Sequence, residues 1–224
     1  MGRRIARSCA LAGLLLLTLG CSGDRRYDQA VSVLIDVSGT YADQKPETVK
    51  LIKGEILPHM LPGDTLLVVR IDSESYDRGN VEALVTLDRR PSRANAQKLA
   101  LARKLDAFAA RHESSKHTDI PGAIMLASEY LQEIGAGSST ILLFSDLQED
   151  LPRGSVRTLR PDELANTHIA AMNVKRLRGD TLDPEVFRGR LAAWEQRLKS
   201  AGAVEWRMFM DASRLPEYLA TIRG

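Results

Sequence analysis

The chain has 224 residues, of which 44% are hydrophobic and 27% are charged, so it is long and apolar enough to bury the core of one globular domain. Its 31 basic and 29 acidic residues nearly balance, which excludes the strongly basic surface typical of proteins that bind nucleic acid. Both cysteines, Cys9 and Cys21, lie near the amino terminus, which excludes a framework of structural disulfides in the remainder of the chain.

Residues 1–20 have the layout of a signal peptide. Three arginines precede an apolar run that ends in four leucines, Leu14 to Leu17. A membrane-spanning helix needs about 20 apolar residues, and this run is shorter. We therefore predict an exported protein from which residues 1–20 are removed. Loss of the three arginines leaves 28 basic against 29 acidic residues, so the mature chain is close to neutral.

The end of this segment resembles the lipobox of bacterial lipoproteins, which is cleaved before a cysteine that receives lipid. Here Gly20 precedes Cys21, and Thr18 stands where such proteins usually have leucine. The resemblance implies that Cys21 carries lipid and anchors the protein to a bacterial membrane, on its periplasmic or cell-surface side. Residues 21–29 would form a short tether. The alternative is an ordinary secreted protein, cleaved near Gly20 or Ser22.

The first predicted strand is the apolar, β-branched run that begins at Val31 and stops at Asp36. Gly39 favours a turn directly after it. Asp36, Ser38 and Thr40 bring three oxygen-bearing side chains into this turn, and oxygen is the ligand type that Mg²⁺ or Mn²⁺ prefers. An Asx or Ser/Thr turn without a metal is the alternative for this segment.

The rest of the chain alternates between predicted helices and strands. Because residues 73–80 are too short for a parallel crossover, we expect the strands on either side of them to pair antiparallel. The remaining alternation predicts one α/β domain over residues 30–224, doubly wound, with a mostly parallel sheet, one antiparallel edge strand and helices on both faces. The predicted elements are helix 46–57, strands 65–72 and 81–87, helices 92–111 and 121–134, strands 140–146 and 167–174, a helix from 183 to about 198, strand 204–210 and a final helix around 215–222.

Two acidic residues end predicted strands that lie far apart in sequence. Asp36 follows the first strand and Asp146 follows the strand that begins at Thr140, while Thr118 lies in a loop before a helix. In open α/β sheets, ligands bind beyond the carboxyl ends of the strands. We therefore expect these three side chains to converge.

Three segments resemble, in order, the metal-ion-dependent adhesion site of the von Willebrand factor A (VWA) family. Asp36-Val37-Ser38-Gly39-Thr40 resembles the opening Asp-x-Ser-x-Ser motif, with threonine in the last place. The segment from His117 to Ile124 is similar to the second loop, in which a threonine precedes a helix, and the segment from Ile141 to Asp146 to the third, an apolar strand that ends in Ser/Thr-Asp. The resemblance covers about residues 29–224.

The resemblance implies a Rossmann-like VWA fold and a binding module that is not an enzyme. Ser38 and Thr40 would ligate Mg²⁺ or Mn²⁺ through their hydroxyls, and Thr118 would bind directly or through water. Asp36 and Asp146 would mainly hold ordered waters and supply charge. One coordination position would stay open for an Asp or Glu carboxylate of a partner protein.

Two other interpretations fit parts of the pattern. The segment from Asp36 to Thr40 also resembles the Asp-x-Asp-Gly-Thr motif of haloacid dehalogenase-type phosphatases, but Ser38 replaces the carboxylate that would act as acid and base. The second alternative is a metal-free scaffold with a degenerate site. Thr40 and Leu147 both depart from the family pattern, since a glycine often follows the third-segment aspartate.

Overall fold

The computed structural model describes residues 27–39, 41–112 and 115–223, and in this part of the chain six strands and six α-helices form one α/β domain. The strands are Gln29–Asp36 (β1), Thr65–Ile71 (β2), Val81–Thr86 (β3), Ser138–Phe144 (β4), Thr167–Met172 (β5) and Glu205–Phe209 (β6). The helices are Lys45–Leu51 (α1), Pro91–Ala110 (α2), Ile120–Ile134 (α3), Arg178–Leu182 (α4), Pro184–Ser200 (α5) and Leu215–Thr221 (α6).

The strands form one sheet in the order β3-β2-β1-β4-β5-β6. All neighbouring pairs are parallel except β2 and β3, which pair antiparallel at the edge. The predicted fold class is therefore confirmed, including the antiparallel edge strand. β1 lies between β2 and β4, so the strands that end in Asp36 and just before Asp146 are neighbours.

Helices cover both faces of the sheet, and each face has its own apolar core. Val33 and Ile35 point to one face, where they pack in a cluster with side chains of α1, α2 and α6. Leu34 points to the other face, into a cluster with side chains of α3 and α5. β1 is buried on both faces, and its sequence is mostly apolar without a regular alternation, with Ser32 as the polar residue between the terminal Gln29 and Asp36, as is typical of a central parallel strand.

Several predicted boundaries are wrong. The helix expected over residues 46–57 is α1 followed by a π-helical turn, Ile52–Ile56, and a 3₁₀ turn, Leu57–His59. The helix expected over residues 92–111, with Ser92 as its cap, instead begins at Pro91, and Arg90 is at the N-cap position. Proline at the first helical position has its ring preset for a helix and lacks the N–H that would go unpaired there. The short helix α4 was not predicted.

The predicted signal peptide, Cys21 and Thr40 lie outside the described residues. Within the residues that are described, no helix is long and apolar enough to cross a membrane.

Candidate functional site

Asp36 is the centre of the candidate site, at the carboxyl end of the central strand. Its side chain is fully buried. One carboxylate oxygen, Oδ1, accepts hydrogen bonds from the backbone N–H of Ser38 at 2.8 Å and from the Ser38 hydroxyl at 2.6 Å. The other, Oδ2, accepts a hydrogen bond from the Ser145 hydroxyl at 2.7 Å. Asp36 therefore joins the turn after β1 to the loop after β4.

Thr118 brings the second predicted segment to the same place. Its hydroxyl donates to the Ser38 hydroxyl oxygen at 2.7 Å. The Thr118 backbone is fixed by two hydrogen bonds with Asp150, in which the N–H of each residue donates to the carbonyl of the other at 2.7 and 3.1 Å. Thr118, Ser38 and Asp36 thus form a chain of hydrogen bonds that ends on a buried carboxylate.

Asp119 holds the segment that carries Thr118. Its carboxylate caps α3 by accepting from the Gly122 N–H at 2.8 Å, and its other oxygen accepts from the Ser75 N–H and from Arg157 Nε, both at 3.1 Å. A Cβ atom on Gly122 would lie 2.2 Å from Asp119 Oδ2, so only glycine fits beneath this carboxylate. The placement of Thr118 is therefore fixed from both sides of the loop.

The third segment ends in Asp146 and Leu147. The Asp146 carboxylate is buried and accepts from the Gln148 N–H at 2.9 Å. Leu147 has a φ of 62°, in the left-handed region that favours glycine, and its side chain is almost fully buried. Trp194 Nε1 donates to the Leu147 carbonyl at 2.9 Å. Leu147 thus adopts a conformation typical of glycine and is held in it by packing and by this hydrogen bond.

This conformation gives a prediction for two variants of Leu147. Leu147→Ala removes buried methyl groups and keeps the left-handed strain, so we expect it to lower the free energy of unfolding by about 2–4 kcal/mol. Leu147→Gly removes the same groups and relieves the strain, so its loss should be smaller by about 1 kcal/mol. Urea unfolding of both variants measures the difference. An alanine variant more stable than the glycine variant would contradict this account.

A cavity of about 200 Å³ opens where the three segments meet. Ser38, Thr118 and Asp146 line it, and Lys116 and Asp150 lie at its rim. A neighbouring cleft of about 500 Å³, beyond the end of β2, shares Ser115 and Lys116 with it. The hydroxyls of Ser38 and Thr118 and the carboxylate of Asp146 are therefore reachable from the surface, whereas Asp36 lies beneath them.

Burial dominates the electrostatics of Asp36. It raises the pKa of this carboxyl to about 6, against the lowering effect of the hydrogen bonds from Ser38 and Ser145. The negative charge of Asp146 raises the same pKa further. Among the described residues, no lysine or arginine forms an ion pair with Asp36. Two acidic side chains thus lie close together around one small cavity.

The structure brings together Asp36, Ser38, Thr118 and Asp146, the predicted site residues that it describes. Two further contributors were not among the candidates. Ser145 donates to Asp36, and its position directly before Asp146 in the third motif was the available signal. Asp119 carries the second loop, and its spacing of three residues from Gly122 is that of a helix cap. No group of three or more His, Cys, Asp or Glu side chains with metal-binding spacing occurs in the described part of the chain.

Other polar side chains near the site have structural partners. His117 Nδ1 lies 3.0 Å from Asp150 Oδ2. Further along the chain, in residues 179–183, Asp180 pairs with Arg190 at 2.6 Å, and Asp183 caps α5 by accepting from the Glu185 N–H. The two acidic residues of this segment are accordingly accounted for by the packing of α4 and α5.

Several solved structures are similar to this chain at low sequence identity. No family model and no curated protein matches the sequence. Among solved structures, a von Willebrand factor type A protein from Catenulispora acidiphila has 12% identity and a TM-score of 0.48, over 88% of this chain and 42% of its own. BatB from Bacteroides thetaiotaomicron has 13% identity and a TM-score of 0.49, over 87% of this chain and 96% of its own.

An aerotolerance-related membrane protein from Bacteroides fragilis has 11% identity and a TM-score of 0.47, over 88% of this chain and 98% of its own. At such identities a likeness concerns the fold alone. The fold is identified by the topology of the chain itself, with β1 central, β3 antiparallel at the edge and helices on both faces. This architecture is that of a Rossmann-like VWA fold, as the sequence resemblance predicted.

Proposed function

We propose that this protein is a membrane-anchored binding module that grips a partner protein through a divalent metal, Mg²⁺ or Mn²⁺. The observation that carries the proposal is the convergence of oxygen-bearing side chains from three distant segments: Ser38, Thr118 and Asp146 line one accessible cavity, and the buried Asp36 accepts a hydrogen bond from Ser38 beneath it. The proposed function is binding, and we assign no catalytic residue.

The chemistry of the donor set fits a small hard cation. Mg²⁺ prefers hydroxyl, carboxylate and water oxygens in an octahedral arrangement and retains waters readily. Asp36 and Asp146 supply negative charge. Among the described residues, no lysine or arginine neutralises Asp36. Ser38, Thr118 and Asp146 would hold the ion, directly or through water, and Thr40 would add a second hydroxyl from the turn after β1.

The direction of the hydrogen bonds also suits this role. The Thr118 hydroxyl donates a hydrogen bond to the Ser38 hydroxyl, and the Ser38 hydroxyl donates a hydrogen bond to the Asp36 carboxylate. Each hydroxyl proton therefore points towards the buried carboxylate, and each oxygen keeps lone-pair capacity for a cation. The same bonds are compatible with a metal-free turn, so a degenerate scaffold is the competing interpretation.

The bound metal would supply an electron-poor centre for an anionic ligand from outside. Neutral hydroxyls dominate the direct ligands in this proposal, so the ion keeps much of its positive charge. We therefore propose that the partner contributes an Asp or Glu side chain.

Calorimetric titration with Mg²⁺ and with Mn²⁺ tests the metal site. Wild type should bind one ion, whereas Thr118→Val should weaken binding about tenfold or more because it removes an oxygen ligand and keeps the shape. Thr40→Ser should retain binding, and Thr40→Val should lose it. The folded state should survive, since a loop hydroxyl contributes little to the core.

Thr65→Val is the matched control for Thr118→Val. Thr65 is buried at the amino end of β2, where its hydroxyl pairs with that of Thr86 at 2.9 Å, so the change should leave metal affinity unaltered. No binding by wild type, or equal binding by all these variants, would leave the metal-free scaffold as the better account.

The lipid anchor belongs to the same proposal and has its own test. If Cys21 carries lipid, Cys21→Ser should move the protein out of the membrane fraction or leave the precursor uncleaved. Fractionation of cells that express the full chain measures this. A wild-type mature protein without lipid on Cys21 would contradict the anchored form.

A further inference from the structure

The edge strand β6 and the residues directly before and after it expose a row of apolar side chains. Val204, Met208 and Met210 are 58%, 39% and 68% exposed, and Trp206 between them is partly buried. Successive residues of a strand point to opposite faces, so these even-numbered residues share one face. Within the described residues, β6 pairs with β5 on one side and with no strand on the other.

The opposite face of β6 carries a pair of opposite charges. Arg207 Nε donates to Glu205 Oε1, and Tyr218 donates to Glu205 Oε2 at 3.2 Å. Glu205 and Arg207 are two residues apart and therefore lie side by side on this face. β6 thus has one apolar face and one face with a negative and a positive residue in sequence.

We propose that β6 pairs antiparallel with β6 of a second copy of this chain, about a two-fold axis at Trp206. In this register Glu205 lies opposite Arg207 of the other copy, twice by symmetry. On the other face Val204 lies opposite Met208, and Trp206 lies opposite its own copy. Cross-strand pairs of opposite charge and of apolar residues stabilise a sheet, whereas like charges opposite one another destabilise it.

The two neighbouring symmetric registers are less favourable. An axis at Glu205 would place that carboxylate opposite its own copy, and an axis at Arg207 would do the same with two guanidinium groups. The register at Trp206 is thus the one that sets the charges in alternating sign. The charge pattern of β6 is therefore complementary to that of the same strand in a second copy.

The pairing would join two sheets into one and leave the candidate metal site open. That site lies at β1 and β4, whereas β6 is two strands further along the sheet. The pairing of the two β6 strands therefore does not depend on a metal, and a chelator should leave it unchanged. A ladder of five residues is short, so the association should be weak and best measured by trapping.

Disulfide trapping in cells that express the full chain tests the register. Val204→Cys together with Met208→Cys should give a disulfide-linked dimer on mild oxidation, because directly opposite Cβ atoms lie about 4.5–5.5 Å apart. Either single variant should give little dimer, since each cysteine would then lie about 13 Å along the strand from its own copy. Both positions are exposed, so the fold should tolerate the changes.

Leu84→Cys is the control on the other edge of the sheet, where β3 exposes Leu84, and wild type controls for Cys21. In the double-cysteine chain, Glu205→Arg should reduce the dimer about tenfold, and adding Arg207→Glu should restore it. Absence of a dimer, equal trapping in the single variants or at Leu84→Cys, or failure of the charge reversal to restore it would overturn the proposal.

Discussion

Arg223→Met should lower the free energy of unfolding by about 3–5 kcal/mol, because it leaves a buried carboxylate without its cation. That carboxylate is Asp64, which is 1% exposed. Arg223 donates to both Asp64 oxygens in a bidentate pair, at 2.7 Å to Oδ1 and 2.6 Å to Oδ2. Asp64 also accepts from the Gln29 N–H, so the pair ties the end of the chain to the start of β1.

Denaturant unfolding measures this loss. Arg188→Met is the matched control, since its pair with Glu185 is exposed on α5 and should change stability by less than about 1 kcal/mol. Adding Asp64→Asn to Arg223→Met removes the orphaned charge and should recover part of the loss. An Arg223→Met variant as stable as the Arg188→Met control would contradict the role assigned to this pair.

Asp36→Asn should make the metal-free protein more stable, by up to about 3 kcal/mol near pH 8. Burial raises the pKa of Asp36 from 3.8 to about 6. Ionising this carboxyl therefore costs more free energy in the folded state than in the unfolded state, where water surrounds it. The cost is full above about pH 6, shrinks between pH 6 and 3.8 as the folded carboxyl gains its proton, and is absent below that range. Asparagine resembles the protonated group in charge.

Thermal unfolding in chelator, from about pH 4 to pH 8, measures this dependence. The advantage of Asp36→Asn should be largest at high pH and vanish at low pH. Excess Mg²⁺ should stabilise wild type and leave the variant unchanged, because the variant lacks the charge that attracts the ion. A variant less stable than wild type at pH 8 in chelator would contradict the proposed cost of burying this carboxylate.

The convergence of Asp36 and Asp146 could be predicted from sequence because both follow apolar, β-branched runs. Neighbouring parallel strands end at the same edge of the sheet, so polar residues that follow them meet whatever their separation in sequence. Thr118 was predictable for a related reason, since its loop precedes a helix that leads to the start of the next parallel strand, β4, and such a helix begins at the carboxyl edge of the sheet. The fold class followed from the alternation of elements and the short link between β2 and β3.

Leu147 shows what the sequence could not reveal. Leucine rarely adopts a positive φ, and here its conformation is held by burial and by the hydrogen bond from Trp194, 47 residues further along the chain. The π-helical turn at Ile52–Ile56 is similar, because nothing in its local composition separates it from α-helix. Ser145 was overlooked because the sequence does not show that its hydroxyl turns inwards to donate to Asp36.

Co-purification of partners from membranes of cells that express the full chain tests the central claim most directly. The protein should retain its partner in Mg²⁺ and release it in chelator, and Thr118→Val should fail to retain it in either condition, whereas Thr65→Val should behave as wild type. Partners retained equally by wild type and Thr118→Val, and unchanged by chelator, would contradict a metal-mediated contact.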